Sequence, residues 1–160
     1  MFNSPTVIAG EFVEQIAPGA FAETLRRGDV VALLDHDSGR VLGRQSAGTL
    51  RLQENGVGLL FELDADPTTP EGQTAIGTVR RRDIKGCSFG FRVREENWTN
   101  EGSLPLRTIL EIELNEITLT AFPAYETTAA WVVQRDANRS AAMRRLREKA
   151  EREQRLRGIR

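Results

Sequence analysis

The sequence has very few of the residues on which metal and thiol chemistry depend. It contains one cysteine, Cys87, and one histidine, His36. A single cysteine cannot form an intramolecular disulfide, so we expect a protein of a reducing compartment such as a cytoplasm. One histidine and one cysteine cannot supply an ordinary zinc cage, and we therefore expect neither a metal nor another cofactor.

Long apolar runs are also missing. No stretch approaches the roughly 20 apolar residues that cross a bilayer, so we expect no membrane span. Residues 1–10 have neither the basic start nor the apolar stretch of a secretory signal. Hydrophobic residues make up 39% and charged residues 28% of the 160-residue chain. This composition is typical of one compact globular domain.

Charge is distributed unevenly along the chain. Residues 1–134 contain 12 Lys/Arg and 19 Asp/Glu, a net charge of −7, whereas residues 135–160 contain 10 and 4, a net charge of +6. We therefore predict a folded domain over 1–134 and a basic tail over 135–160, either helical or disordered. Phosphate binding by the tail is unsupported by any interleaved aromatic pattern, and an acidic domain makes a nucleic-acid partner unlikely.

Hydrophobic patterning predicts an α+β fold in which antiparallel strands dominate. An Asn-Gly pair at 55–56 predicts a hairpin, and Thr69 followed by Pro70 predicts the start of a helix that ends near Asp83. The predicted strands are Glu11–Ile16, Val30–Leu34, Thr49–Gln53, Val57–Leu63, Cys87–Arg94 and Arg107–Ala121, with a short helix ended by Gly28, a turn at Ser38-Gly39 and a polar loop over 97–104.

His36 is the first candidate catalytic residue. It follows the predicted strand Val30–Leu34, in phase with Leu34, and is flanked by Asp35 and Asp37. Imidazole suits proton transfer near neutral pH, because its unperturbed pKa is about 6.5. An isolated histidine is more often structural or merely exposed, so His36 needs a partner before it qualifies as a general base.

Ser88 is the candidate nucleophile. Alternation places Cys87 and Phe89 on an apolar face and Ser88 with Gly90 on the other face. A serine beside a glycine predicts an accessible hydroxyl with room for an approaching peptide backbone. The alternatives are an ordinary strand serine at 88 and a nucleophilic Cys87, although the phase of Cys87 indicates a small core residue.

Glu116 is the candidate acid. It falls in phase with the apolar residues Leu110, Ile112 and Leu114, and a carboxylate on such a face is costly unless it is paired. Orienting an imidazolium, as the third member of a catalytic triad does, would account for this position. The alternative is a β-bulge that shifts the register, because Ile117 continues the apolar pattern on the opposite face.

Four segments of the chain resemble motifs of the tailed-phage prohead serine proteases. The resemblance covers roughly residues 11–130, in the same order and at similar spacing. The segments are Ile16–Phe21, Leu33–Asp37 with Val41–Arg44, Gly86–Phe91, and Glu113–Thr120 with Phe122–Tyr125.

This resemblance implies a fold related to the herpesvirus assembly proteases, which is a closed, mostly antiparallel β-barrel with surrounding helices. It implies that His36 and Ser88 are the catalytic pair. The herpesvirus enzymes use a second histidine as the third member, which this chain lacks. The third role therefore passes to Glu116, with Glu113 and Asp37 as the other candidates.

The resemblance also implies a function, a location and partners. The expected function is a serine endopeptidase that cleaves the scaffolding protein, or the scaffolding segment of the major capsid protein, and also itself. It would act inside the prohead in the host cytoplasm, with a homodimer as one possible state. The competing hypotheses are a non-enzymatic assembly protein on the same fold, and a nucleic-acid-binding protein that uses the basic tail.

Overall fold

The computed structural model describes residues 1–100, 102–124, 128–130 and 132. The predicted tail, 135–160, lies outside these residues. Within them the chain forms eight strands and two helices. In chain order these are β1 (Thr6–Ile8), β2 (Phe12–Ile16), α1 (Ala22–Arg27), β3 (Val31–Leu34), β4 (Asp37–Arg44), β5 (Leu50–Glu54), β6 (Leu59–Leu63), α2 (Pro70–Arg81), β7 (Gly86–Thr99) and β8 (Leu106–Thr120).

Strand β8 is the centre of a six-stranded sheet. Along one edge it pairs with antiparallel β7 over almost its whole length. Along the other edge it pairs with two parallel strands in turn, first β2 and then β3. Strands β1 and β4 add antiparallel pairs outside β2 and β3. The predicted α+β class with mostly antiparallel pairing is therefore confirmed.

The closed β-barrel expected from the resemblance is not found in the described part of the chain. Strands β5 and β6 pair with each other as a separate two-stranded sheet. They do not hydrogen-bond to β4 or β7, so the described strands leave the six-stranded sheet open. The Asn-Gly hairpin that joins β5 and β6 is confirmed.

Helix α1 and the residues before it fill the gap that separates β2 from β3 along the edge of β8. The Ile112 N–H donates to the Ala20 carbonyl at 2.9 Å. The Thr24 hydroxyl donates to the Ile112 carbonyl at 2.7 Å and accepts from the Leu114 N–H at 3.0 Å. Buried backbone groups need such partners, so α1 completes the edge where no strand lies.

A single hydrophobic cluster joins the sheet to the remaining elements. It includes Ile112 and Ile117 of β8, Leu50 of the hairpin and Val79 of α2. Helix α2 begins as predicted, because the Thr69 side chain accepts from the Gly72 N–H and Pro70 occupies the first turn. No helix among the described residues is long and apolar enough to span a membrane.

The sequence prediction missed two strands, β1 and β4, and shortened a third. The predicted turn at Ser38-Gly39 is wrong, because both residues lie within β4. The predicted loop over 97–104 is wrong in its first part, because β7 continues to Thr99. Pairing of β4 with β3 and of β7 with β8 supplies backbone hydrogen bonds that stabilise such polar residues in a strand, whatever their own preference.

Candidate active site

Three adjacent strands bring the three predicted catalytic residues to one end of the sheet. On β7 and β8, Ser88 lies opposite Thr118, and Gly90 lies opposite Glu116. On the other side of β8, β3 runs beside Glu116–Leu119 and leads directly into Asp35 and His36. Paired residues of neighbouring strands project to the same face, so Ser88 and Glu116 share a face.

His36 and Glu116 form a direct hydrogen bond. The Nδ1 atom of His36 lies 2.7 Å from Oε1 of Glu116. An ionised carboxylate only accepts hydrogen bonds, so an imidazole nitrogen bonded to one must carry a proton, which in a neutral ring leaves the lone pair on the other nitrogen. The His36 side chain is about half exposed, at 49%, whereas Glu116 is 15% exposed. A neutral ring with its proton on Nδ1 is the tautomer that a general base needs when it takes a proton through Nε2.

His36 occupies a tight turn rather than a strand. Leu34 pairs with Asp37, so only two residues connect β3 to β4. These residues, Asp35 and His36, have φ angles of 57° and 58°. Positive φ at both central positions defines the type I′ hairpin turn. The sequence argument that placed His36 in strand phase with Leu34 is therefore wrong, although its position at the end of a buried strand is confirmed.

Of the two alternatives considered for Glu116, the structure shows the bulge, and the predicted place of Glu116 on the apolar face is wrong. Gly90 pairs with Glu116 and Phe91 pairs with Leu114, so Asn115 is an extra residue that forms a bulge in β8. The bulge puts Glu116 on the face opposite the buried residues Leu114 and Ile117. From that face the Glu116 carboxylate reaches the His36 ring.

A second irregularity corrects the expected apolar face of β8. Glu95 pairs with Glu111 and Glu96 pairs with Ile109, so Leu110 is also an extra residue. Ile109 is fully buried and Leu110 is exposed, the reverse of the predicted phase. A strict alternation over 15 residues cannot reveal such bulges.

Gly90 holds the space into which Glu116 fits. A Cβ atom at position 90 would lie 2.6 Å from Glu116 Oε1 and 3.1 Å from its Cγ. The sequence argument assigned this space to an approaching substrate, and that assignment is wrong because the Glu116 carboxyl fills it. The second carboxylate oxygen, Oε2, is buried without a hydrogen-bond partner among the described residues.

Ser88 is buried, with 5% of its surface exposed. The prediction of an accessible hydroxyl is therefore wrong for this conformation. No hydrogen bond joins Ser88 to the His36 ring, both of which lie in the described part of the chain. Catalytic hydrogen bonds of free enzymes are often long and shorten only when substrate binds.

Cys87 lies on the opposite face of β7 from Ser88. It is partly buried and packs against the hydrophobic core, as the sequence phase predicted. Burial raises the pKa of its thiol above the ordinary value. The thiolate is the nucleophilic form of cysteine, so this environment suits a core residue rather than a nucleophile.

The two other carboxylates considered for the third position are engaged elsewhere. Asp37 accepts a hydrogen bond from the Gly39 N–H at 2.8 Å. Glu113 forms an ion pair with Arg94. Of the three candidates, Glu116 is the one that the structure brings to His36.

Sequence reasoning missed the residues of β8 that hold the His36 turn. The His36 N–H donates to Thr118 Oγ1 at 2.8 Å, and the Thr120 hydroxyl donates to Asp35 Oδ1 at 2.8 Å. Between them, the Leu119 carbonyl accepts from the Asp35 N–H at 3.0 Å. The available signal in the sequence was a pair of threonines at the second and fourth positions after Glu116.

Comparison with protein families adds a decisive observation to this geometry. The family model described as Caudovirus prohead serine protease matches residues 1–142. The chain belongs to this family. As a prohead protease, it is assigned to phage capsid maturation and to the interior of the capsid, with capsid or scaffold proteins as its partners.

Comparison of this prohead protease with curated proteins gave no match, and comparison with solved structures gave none either. Its expected relation in fold to the herpesvirus assembly proteases therefore stays a prediction.

Proposed function

We propose that this protein is a serine endopeptidase in which Ser88 is the nucleophile, His36 the general base and Glu116 the residue that orients the base. The observation that carries the proposal is the 2.7 Å contact between His36 Nδ1 and Glu116 Oε1. It occurs on the same sheet face as Ser88, in a chain that belongs to a serine protease family.

The proposed reaction follows the serine protease scheme. His36 Nε2 takes the hydroxyl proton as Ser88 Oγ attacks the carbonyl carbon of the scissile peptide. The C–N bond then breaks, and the protonated imidazole gives its proton to the leaving amine. Water attacks the acyl-enzyme with His36 again as base, which releases the new carboxyl end and restores Ser88.

Glu116 has two tasks in this scheme. Its hydrogen bond keeps the proton of the neutral ring on Nδ1, so that Nε2 is free to act as a base. Its negative charge then stabilises the imidazolium that forms when Ser88 is deprotonated. Because Glu116 is mostly buried, water screens this attraction less than it would at an exposed site.

The proposed substrates are the scaffolding protein or the scaffolding segment of the major capsid protein, and the protease chain itself. Residues 1–134 are the proposed protease domain. Residues 135–160, with net charge +6, are proposed to contact scaffold and to be removed by self-cleavage. These assignments rest on the family and on charge, since residues 135–160 lie outside the described part of the chain.

A fluorophosphonate that modifies activated serines tests the nucleophile. Intact-mass measurement of the wild type should show one adduct, which is lost in Ser88→Ala and formed far more slowly in His36→Ala. Ser103→Ala is the matched control, because this serine is exposed in the loop between β7 and β8. An adduct that persists in Ser88→Ala would refute the nucleophile assignment.

The burial of Ser88 favours a second candidate function, a non-enzymatic assembly protein that binds scaffold or shell subunits. Co-expression with the capsid protein separates the two functions. A protease should shorten the capsid or scaffold protein, and Ser88→Ala should leave it at full length. If the capsid and scaffold proteins stay at full length with the wild type as well as with Ser88→Ala, the result would favour the binding function.

A further inference from the structure

Three consecutive residues of β8 hold the turn that carries His36. Thr118, Leu119 and Thr120 contribute a side-chain hydroxyl, a backbone carbonyl and a second hydroxyl, respectively. Two of these contacts reach Asp35, and one reaches the backbone N–H of His36 itself. The Thr118 contact is therefore the one that acts directly on the residue bearing the imidazole.

Thr118 occupies the most enclosed position of this group. It is fully buried, with 0% of its surface exposed. It lies between Leu33 of β3 and Ser88 of β7 on the central strand. Directly opposed residues of an antiparallel pair have Cβ atoms about 4.5–5.5 Å apart, so the Thr118 side chain is the cross-strand neighbour of Ser88.

His36 needs such a restraint because its backbone is in the left-handed region, with φ at 58°. Residues other than glycine rarely adopt this conformation, and they keep it only when surrounding contacts hold them there. The hydrogen bond to Thr118 Oγ1 fixes the N–H of His36 at 2.8 Å. The side-chain contact at Glu116 then fixes the ring.

We infer that Thr118 is a positioning residue that sets the distance between His36 and Ser88. The Thr118 side chain accepts the hydrogen bond from the His36 backbone. On the neighbouring strand β7, Ser88 is the residue paired with Thr118. The inference rests on the proposed function, because it assigns a role within the same site. The observed hydrogen bond of Thr118 is to the backbone N–H of His36 and not to its imidazole, so the expected effect is on geometry.

The test measures fluorophosphonate labelling of Ser88, separated into the maximal labelling rate and the half-saturating concentration. In Thr118→Val the side chain keeps its shape but cannot accept from His36. We expect the maximal rate to fall about 10- to 100-fold, because an error of about 1 Å in placement has an effect of this size. The half-saturating concentration should stay within about threefold, since the reagent contacts are unchanged.

Thr118→Ser and Thr120→Val are the matched variants. Serine keeps the hydroxyl, so its labelling rate should remain within about threefold of wild type. Thr120→Val removes the hydroxyl that bonds to the Asp35 side chain but leaves the His36 N–H contact, so it should label faster than Thr118→Val. Circular dichroism checks folding, and if Thr118→Val does not fold, the comparison passes to Thr118→Ser against Thr118→Ala.

Two outcomes would overturn the inference while sparing the proposed function. One is wild-type labelling in folded Thr118→Val, or in Thr118→Ala where that variant takes its place. The other is labelling of Thr118→Ser as slow as that of the variant without a hydroxyl. By contrast, a wild type that is never labelled at Ser88 would overturn the proposed function itself.

Discussion

The two ends of strand β8 both place a carboxylate that is mostly buried against a basic side chain, but they do so differently. At the end near Leu106, Glu14 is 5% exposed and accepts from Arg107 at 3.0 Å. Arg107 also donates to Glu96 at 2.7 Å. Its guanidinium carbon lies 6.0 and 5.8 Å from the ring centres of Phe12 and Trp98.

At the other end, Glu116 faces His36, whose side chain is about half exposed. One oxygen of Glu116 bonds to the ring, and the other is buried without a partner among the described residues. The basic partner stands on a turn with positive φ rather than in a strand. The hydrogen-bonding groups at this end of β8 are therefore less completely paired than those at the Arg107 end.

The difference separates a structural ion pair from a candidate catalytic one. Arginine stays charged at every relevant pH, and its several donors match several acceptors at once. Histidine changes its charge near neutral pH and can pass a proton on. Buried carboxylates alone would not have distinguished the two ends, whereas the identity of the partner and the strain of its backbone do.

The largest expected effect comes from exchanging each carboxylate for an amide. Glu116→Gln should reduce fluorophosphonate labelling of Ser88 about 10³-fold, because an amide neither fixes the tautomer nor stabilises the imidazolium. Glu14→Gln should leave labelling unchanged and lower the free energy of unfolding by about 1–3 kcal/mol. Urea denaturation and labelling on the same samples measure both. Equal labelling of Ser88 in Glu116→Gln and Glu14→Gln would contradict the division of β8 into a structural end and a candidate catalytic end.

The next effect concerns the basic partners. Arg107→Met should lower the free energy of unfolding by about 3 kcal/mol, because it removes the arginine that pairs with the buried Glu14. His36→Asn should lower it by less than Arg107→Met does, since asparagine tolerates positive φ and Glu116 is less buried than Glu14. Fluorophosphonate labelling of Ser88 should fall far more in His36→Asn than in Arg107→Met. A large stability loss in His36→Asn would mean that the site end is structural as well.

Gly90→Ala tests how closely Glu116 fits. The added Cβ would lie 2.6 Å from Oε1, so the carboxyl must shift and labelling should fall about tenfold. Gly77→Ala is the control, because a Cβ there meets no atom within 4 Å. It lies inside helix α2, where alanine should raise the free energy of unfolding by about 0.5–1 kcal/mol. Wild-type labelling in Gly90→Ala would show that Glu116 has room to move.

The smallest expected effect on activity is that of Cys87→Ala, which should label at close to the wild-type rate. Cys87 faces the core, and burial raises the pKa of its thiol above the ordinary value of 9.0. A raised pKa means less thiolate at any given pH, so iodoacetamide should alkylate the native protein more slowly than the urea-unfolded protein at pH 8. Mass spectrometry follows the alkylation. Rapid native alkylation would contradict the core placement.

Much of the fold was predictable because local patterns and tertiary pairing agree. The Asn-Gly hairpin and the Thr69 cap of α2 each need only a few adjacent residues, and both are confirmed. Strand β4 was missed because its polar start, from Asp37 to Gly39, is extended only through pairing with β3. The closed barrel came from the resemblance alone and is not found among the described strands.

The site was predictable in its residue types but not in its geometry. The single histidine and a carboxylate in a hydrophobic segment drew attention to His36 and Glu116, which the structure joins, although the apolar-face argument for Glu116 is wrong. The bulge at Asn115 could not be inferred, because it depends on how β8 pairs with β7. The positive φ of His36 was missed because the turn between β3 and β4 was expected at Ser38-Gly39 rather than at Asp35-His36. The role of Ser88 stays a prediction until the labelling experiment is done.

The position of β8 in the chain has a consequence for biosynthesis. The central strand of the sheet is the last of the described strands along the sequence, and the His36–Glu116 contact spans 80 residues. Partners so distant along the chain meet late in folding, because a long loop must close first. A nascent chain that ends before Glu116 has Ser88 and His36 but no acid to orient the base. Such a chain should therefore be inert, which would delay proteolysis until the whole sheet has assembled.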